Sequence, residues 1–210
     1  MATADQIVNT AVELGEQKSW EAVRLHDVAA ALGITLDDVR SHFREKEDIV
    51  EAWFERADSA MLRMAQAPDF SFLTPRQRLH RLIMTWLASL YPYRKTTRQM
   101  IYGKLEPGHL HVQIPGLMRI SRTVQWMREA AGRDATYLRR ALEESALTSI
   151  YLATFIHWMN DSSSGTSRTS RFLDGCLSIA ESMDRMVIFR RRRGERTDSE
   201  EAPQGTPQGT

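Results

Sequence analysis

The sequence predicts an all-α protein, with a three-helix head followed by a larger helical body. Three observations predict it. Apolar residues recur at three- and four-residue spacing along most of the 210 residues. No run alternates apolar and polar residues with the Val, Ile and Thr enrichment of a sheet. Capping signatures stand where the periodic segments begin, at Thr3–Gln6, Thr35–Asp38 and Thr74-Pro75-Arg76-Gln77.

Each element follows from these signals. Ala4 to about Glu16 carries Ile7, Val8, Ala11, Val12 and Leu14 on one stripe, with Gly15 expected to fray its end. Residues 25–31 form a short helix. Leu32-Gly33-Ile34-Thr35 make a tight turn in which Gly33 can take a positive φ, and residues 36–42 form a second short helix. Short helix, four-residue turn, short helix is the spacing of a helix-turn-helix. Glu47 to Ala65 is a long amphipathic helix with Ile49, Val50, Trp53, Phe54, Ala57, Met61 and Met64 inward. After a loop over 66–74, Pro75 opens an apolar helix to about Tyr91, which Pro92 interrupts, and a further helix runs to about Leu105. Helices are expected from about Pro115 to Ala131, over 135–159 and over 168–189, the last two separated by a loop at 160–167. The polar, Pro- and Gly-containing end is expected to be disordered. The expected division is a head over 1–46, a body over 47–189 and, over 190–210, an arginine-rich segment and tail.

Charge and composition narrow the function. Twenty-eight basic and 27 acidic side chains leave a net charge of +1, so nucleic-acid binding must come from a local patch. The single cysteine, Cys176, excludes an internal disulfide and a cysteine-based zinc knuckle. No stretch is long and apolar enough for a transmembrane helix, and the N-terminus lacks the basic start of a secretory signal, so the expected compartment is the cytoplasm. The near-neutral total hides a gradient. Residues 1–50 carry five bases against ten acids, a net of −5, while 51–184 stand at +4 and 185–210 at +2.

The segment from Asp27 to Val50 resembles the helix-turn-helix of TetR-family regulators. Val28-Ala29, Gly33-Ile34-Thr35, His42-Phe43 and Lys46-Glu47-Asp48-Ile49 occupy the places of that family's pattern. Val28, Ala29, Leu32, Ile34, Val39 and Phe43 would pack the head, and the second short helix would enter a major groove. The resemblance implies DNA contacts at Thr35, Leu36, Arg40, Ser41 and His42, and phosphate contacts at Arg24 and Lys46. Thr35 also reads as a helix N-cap and Lys46 as a surface charge at a helix start. Two departures stand out. Arg40 occupies the place of a usual aromatic, and Asp37 and Asp38 stand where small or basic residues are usual. Acids there suit a helix N-terminus, yet they would face phosphate. A second, shorter resemblance links His157-Trp-Met-Asn-Asp-Ser-Ser163 and Arg171-Phe-Leu-Asp174 to TetR-like lipid-binding proteins of coenzyme Q biosynthesis, which implies an isoprenoid or lipid in the body.

The body is dense in large apolar and aromatic side chains, which adapt to greasy ligands. Trp86, Met100, Tyr102, Met118, Trp126, Tyr151 and Phe155 are the expected pocket residues, and each of them alone also reads as ordinary core. His109 and His111 lack a carboxylate or cysteine at ligand spacing, so no metal is expected. Cys176 reads as a small buried hydrophobe. With no phosphate-binding glycine loop, nucleophile elbow or paired-carboxylate motif, neither enzyme activity nor a cofactor is expected. The TetR-like fold implies a homodimer through helices about 135–159 and 168–189, with Leu138, Leu142, Leu147, Ile150, Phe155, Phe172, Leu173, Leu177 and Ile179 as candidate contacts. Arginines and apolar residues over 185–196 suit peripheral contact with an anionic membrane. The expected function is a TetR-type regulator, a repressor that binds double-stranded operator DNA as a dimer and is released by a small hydrophobic effector. The alternative is a lipid-binding accessory protein on the same fold.

Overall fold

The first helix, α1 (Ala4–Lys18), starts where the sequence predicts: the Thr3 hydroxyl accepts the Gln6 amide at 3.2 Å and the Gln6 side chain accepts the Thr3 amide at 2.8 Å. The structure is a computed structural model and describes residues 2–104, 120, 122–132 and 137–200. α2 (Leu25–Leu32) ends at Gly33, which takes the left-handed conformation at φ 64°, and α3 (Leu36–His42) follows from the Thr35 cap. α4 (Lys46–Met64) leads into a short 3-10 turn at Phe70–Phe72, then α5 (Pro75–Leu90). Pro92 lies in a second 3-10 turn, Tyr91–Tyr93, that runs straight into α6 (Arg94–Lys104). The described helical residues 122–130 form α7, followed by α8 (Tyr137–Met159), a 3-10 turn at Ser164–Thr166, and α9 (Ser167–Glu200). There is no strand among the described residues.

Two boundaries differ from the sequence reading. α1 does not fray at Gly15 but continues to Lys18. α9 runs to Glu200 rather than stopping near 189, because arginine is a good helix former and Gly194 costs a helix only about 1 kcal/mol. Residues 201–210 lie outside the described residues.

Head and body share one hydrophobic core. It runs from Ile7, Val8, Ala11 and Val12 through Val28, Val39 and Phe43 to Trp86, Phe155 and Leu173. α4 joins the two parts: Trp53 meets Tyr93 edge-on at 5.8 Å, and its neighbour Phe54 stacks on Trp86 at 5.9 Å. α4 packs chiefly on α5, and α9 covers α5 and α8. No helix among the described residues is long and apolar enough to cross a membrane.

The turn between α8 and α9 is held by one acid. Asp161 is 3 % exposed. It accepts the Ser163 amide at 2.8 Å, the Thr169 amide at 2.9 Å and the Thr169 hydroxyl at 2.7 Å. Its own carbonyl accepts from the Arg94 guanidinium of α6. Burial by itself would raise the Asp161 carboxyl, but the hydrogen bonds from Ser163 and Thr169 outweigh it and hold the group well below the usual carboxylate range. This acid therefore adds stability that is fully present above about pH 4 and is lost as pH falls towards the folded-state value. Asp161→Ala should destabilise the chain by about 1–3 kcal/mol by orphaning the Thr169 amide. In chemical denaturation the gap between variant and wild type should shrink below pH 4, and a gap constant from pH 7 to pH 3 would contradict this account.

Candidate nucleic-acid interface

α3 is seven residues long and buries one of them fully, Val39, with Phe43 anchoring its end. A helical turn then places Asp37 and Ser41 opposite Val39, with Arg40 and Leu36 on the flank between, and all four are exposed. Leu36 is 52 % exposed, unusual for a large apolar side chain. Arg40 reaches back one turn, and its Nε and Nη2 both donate to Asp37 Oδ1, at 3.1 and 3.0 Å. His42 is exposed beside Phe43.

The other sequence-predicted contacts are engaged differently. The Thr35 hydroxyl accepts the Asp38 amide at 3.1 Å and the Asp38 carboxylate accepts the Thr35 amide at 2.9 Å, a complete capping box, and the hydroxyl also donates to Asp38 Oδ2 at 2.6 Å. The hydrogen bonds from Thr35, side chain first and then amide, hold the Asp38 carboxyl below its ordinary range. Ser41 donates its hydroxyl to the Asp38 carbonyl at 2.7 Å. Arg24 caps α2: its amide donates to Asp27 at 3.1 Å, and its side chain is exposed. Lys46 is half-buried rather than a free surface charge. Its ammonium donates to the Trp20 carbonyl and lies 4.6 Å from the centre of the Trp20 ring. Burial first, and the Arg24 charge next, push it below the ordinary lysine range.

Behind this surface lies a seam that the sequence reading did not find. A Cβ on Gly15 would stand 2.6 Å from Thr96 Cγ2, so only glycine lets α6 approach α1 this closely. Next to it, Glu16 accepts the Thr96 amide at 3.2 Å and the Thr96 hydroxyl at 2.8 Å, and Lys95 donates to the Glu16 carbonyl at 2.8 Å. The Trp20 amide donates to Gln99 Oε1 at 2.7 Å. Trp20 therefore links α6 of the body to Lys46 at the start of α4. These partners lie about 80 residues apart in the chain, so spacing carries no signal for them; Gly15 inside a helical pattern was the one visible cue.

In the body, Trp86, Tyr151 and Phe155 come together. Trp86 lies 5.3 Å from Tyr151 and 5.6 Å from Phe155, and Trp158 stacks on Phe155 at 5.7 Å. Trp86 also donates to Asp58 at 2.7 Å, which in turn accepts from Thr123. Met100 is buried, but two expected pocket residues face outward. Tyr102 is 45 % and Trp126 49 % exposed. α6 buries Thr96, Thr97 and Met100, and α7 buries Thr123, Val124, Met127 and Arg128, so Tyr102 and Trp126 fall on the opposite faces. Met118, His109 and His111 lie outside the described residues. Two surface grooves, of about 550 Å³ beside Ile156, His157 and Arg168 and about 920 Å³ between α5 and α9, are lined by other residues.

Four of the apolar residues expected at a dimer face, Leu147, Phe155, Leu173 and Leu177, are buried within the chain itself. Ile150 and Phe172 are half-buried, and the side chains of Leu138 and Leu142 lie outside those described. Among the described residues, the large apolar side chains exposed on α8 and α9 are Ile156, Ile179 and Met183. Cys176 is half-buried, and burial raises its thiol. Among the described residues no group of three or more His, Cys, Asp or Glu could hold a metal ion.

A protein of known structure, a TetR transcriptional regulator from Nitrosomonas europaea ATCC 19718, shares 52 % identity with this chain at a TM-score of 0.77; the match covers 85 % of this chain and 97 % of that one. A TetR transcriptional regulator from Rhodococcus sp. RHA1 superimposes with a TM-score of 0.60 at 19 % identity, over 82 % of this chain and 94 % of that one. A TetR-like transcriptional regulator, also from Rhodococcus sp. RHA1, gives 0.52 at 17 % identity over 87 % and 98 %; these two show the fold alone. A family model described as COQ9 matches residues 119–184. No curated protein matches the chain.

Gly15→Ala should lower the melting temperature although alanine is the better helix former by about 1 kcal/mol, because the overlap with Thr96 costs about 1–3 kcal/mol. Adding Thr96→Ser, which removes Cγ2 but keeps the hydroxyl, should restore it. Equal melting temperatures for wild type and Gly15→Ala would rule out a tight seam.

Proposed function

The chain belongs to the TetR family of transcriptional regulators, and we propose from that premise that it is a repressor whose two copies grip operator DNA through α3 and let go when a hydrophobic ligand binds the body. The observation that carries this reading is the outward arc of α3, where Leu36, Arg40 and His42 are exposed on a helix anchored by Val39 and Phe43. The head would be residues 1–46 and the ligand-binding body 47–189. Leu36 suits a thymine methyl. The exposed guanidinium of Arg24 and the ammonium of Lys46 suit phosphate, Lys46 only after it leaves Trp20. Thr35 and Ser41 can approach DNA with their oxygens while keeping their bonds to the helix. The ligand would wedge among Trp86, Met100, Tyr151 and Phe155, with Tyr102 and Trp126 towards its entrance. Movement of α6 would reach the head through Thr96, Gln99 and Trp20, which couples the two sites. The cytoplasm is the compartment such a role requires.

Two copies would meet through α8 and α9. Ile156, Ile179 and Met183 are exposed there beside small residues, Ser149, Ala153 and Gly175, that let helices approach closely. A second reading, lipid binding on the same fold, is favoured by the COQ9 match over 119–184. In that reading the arginines of 185–196 would meet an anionic membrane.

Fluorescence anisotropy against the chain's own upstream DNA should show sequence-specific binding at low and moderate salt. Its salt slope should be shallow, since the head carries a net charge of −5. Absence of specific binding at both salts, with lipid recovered from the purified protein and co-sedimentation with anionic vesicles, would favour the second reading. In analytical ultracentrifugation the wild type should sediment at twice the chain mass, and Ile156→Glu with Ile179→Glu should sediment as a monomer. A wild type that stays monomeric at tens of micromolar would refute the dimer.

A further inference from the structure

The Asp37–Arg40 contact does little for the fold beyond what an ordinary i,i+3 surface pair adds. Both side chains are almost fully in solvent, at 81 % and 78 % exposure, where an ion pair adds little to stability. α3 is already capped by Thr35 and Asp38, so its N-terminus does not need a further acid. Asp37 also puts a negative charge on the arc that would face a polyanion. Its bonds nevertheless do something specific. By taking Nε–H and one Nη2–H on a single oxygen, Asp37 fixes the plane of the guanidinium. The opposite edge, formed by Nη1 and the second hydrogen of Nη2, stays available as a two-pronged donor. That edge matches the O6 and N7 acceptors of guanine in the major groove.

We propose that Asp37 and Arg40 form one reading unit, in which Asp37 holds Arg40 to pair with a guanine of the operator. This rests on the DNA-binding reading above. Arg40 then contacts a base rather than phosphate, and Asp37 is the positioning residue. The acid exchanges general attraction for DNA for selectivity at one base pair, which fits a head whose charge is otherwise unfavourable.

Selection by the full-length protein from randomised duplexes supplies the site. Anisotropy titrations then compare that site with duplexes in which each guanine is replaced in turn by 7-deazaguanine, which lacks the N7 acceptor, or by adenine. One guanine per half-site should weaken wild-type binding by about ten- to a hundred-fold when replaced. Arg40→Lys, which keeps the charge but not the fork, should lose that preference. Asp37→Ala should lose most of it too, a loss of preference that a merely structural ion pair would not produce, while removal of the acid tightens binding to random-sequence DNA. Matching thermal melts by circular dichroism keep folding out of the comparison. The proposal is overturned if Arg40→Lys retains the guanine preference, or if Arg40→Lys weakens every duplex by one common factor, the mark of a phosphate contact. It is also overturned if Asp37→Ala leaves the preference intact. Failure to select any site would instead remove the DNA-binding reading, and this proposal with it.

Discussion

At Gly15 the head and body stand closer than any side chain would permit, and much of the molecule is organised around that approach. With α6 lying directly on α1, Thr96 reaches the Glu16 carboxylate, Lys95 reaches its carbonyl, and Gln99 meets the Trp20 amide. Trp20 then offers its carbonyl and ring face to Lys46. A β-carbon at position 15 would overlap the Thr96 methyl, so the Thr96 side chain or α6 would have to give way and the bonds around it would be disturbed. Packing of α4 supports the same join from the other side, since Trp53 donates to Thr97 at 3.0 Å inside the core. The N-terminal helices and the rest of the chain are thus tied by backbone and side-chain bonds rather than by a flexible linker.

The excess of acids in the head becomes intelligible once each is located. Asp38 is consumed by the Thr35 cap, Asp27 by Lys18 and the Arg24 amide, and Asp48 by the Arg44 and Glu45 amides. Asp5 pairs with Arg56 across α1 and α4. A count of charges treats these acids as repelling DNA, whereas most act as local acceptors that fix helix starts. They keep their negative charge in these roles, and Asp37 stands exposed on α3, so the acids serve the fold at a cost in attraction for DNA.

The short likeness to lipid-binding proteins also acquires a structural meaning. Trp158 sits in the aromatic stack of the body, Asp161 and Ser163 tie the turn, and Leu173 is buried in α9. Asp161 and Ser163 thus join α8 to α9, while Trp158 and Leu173 are core residues. A pattern of this kind can mark a way of closing the bundle as readily as a ligand, because buried acceptors at a helix start must be paired whatever the body holds.

Helical periodicity and capping residues were enough to place nearly all the elements, and Thr3, Thr35 and Thr74 stand at the starts the sequence predicts. The head core was legible for the same reason: Val28, Ala29, Val39 and Phe43 follow a local spacing. The body was less legible. Trp126 and Tyr102 look like core by composition, but which face of a helix turns inward depends on what packs against it. The all-α class and the helix-turn-helix were legible because they depend on bonds three or four residues long, and the outward arc of α3 because Val39 and Phe43 are the apolar residues at core spacing on it. The close contact at Gly15, the seat of Lys46 on Trp20 and the pairing of Asp37 with Arg40 rather than with the cap were not legible. Those depend on groups brought together by folding, or on a choice between neighbouring acceptors, and local spacing specifies neither.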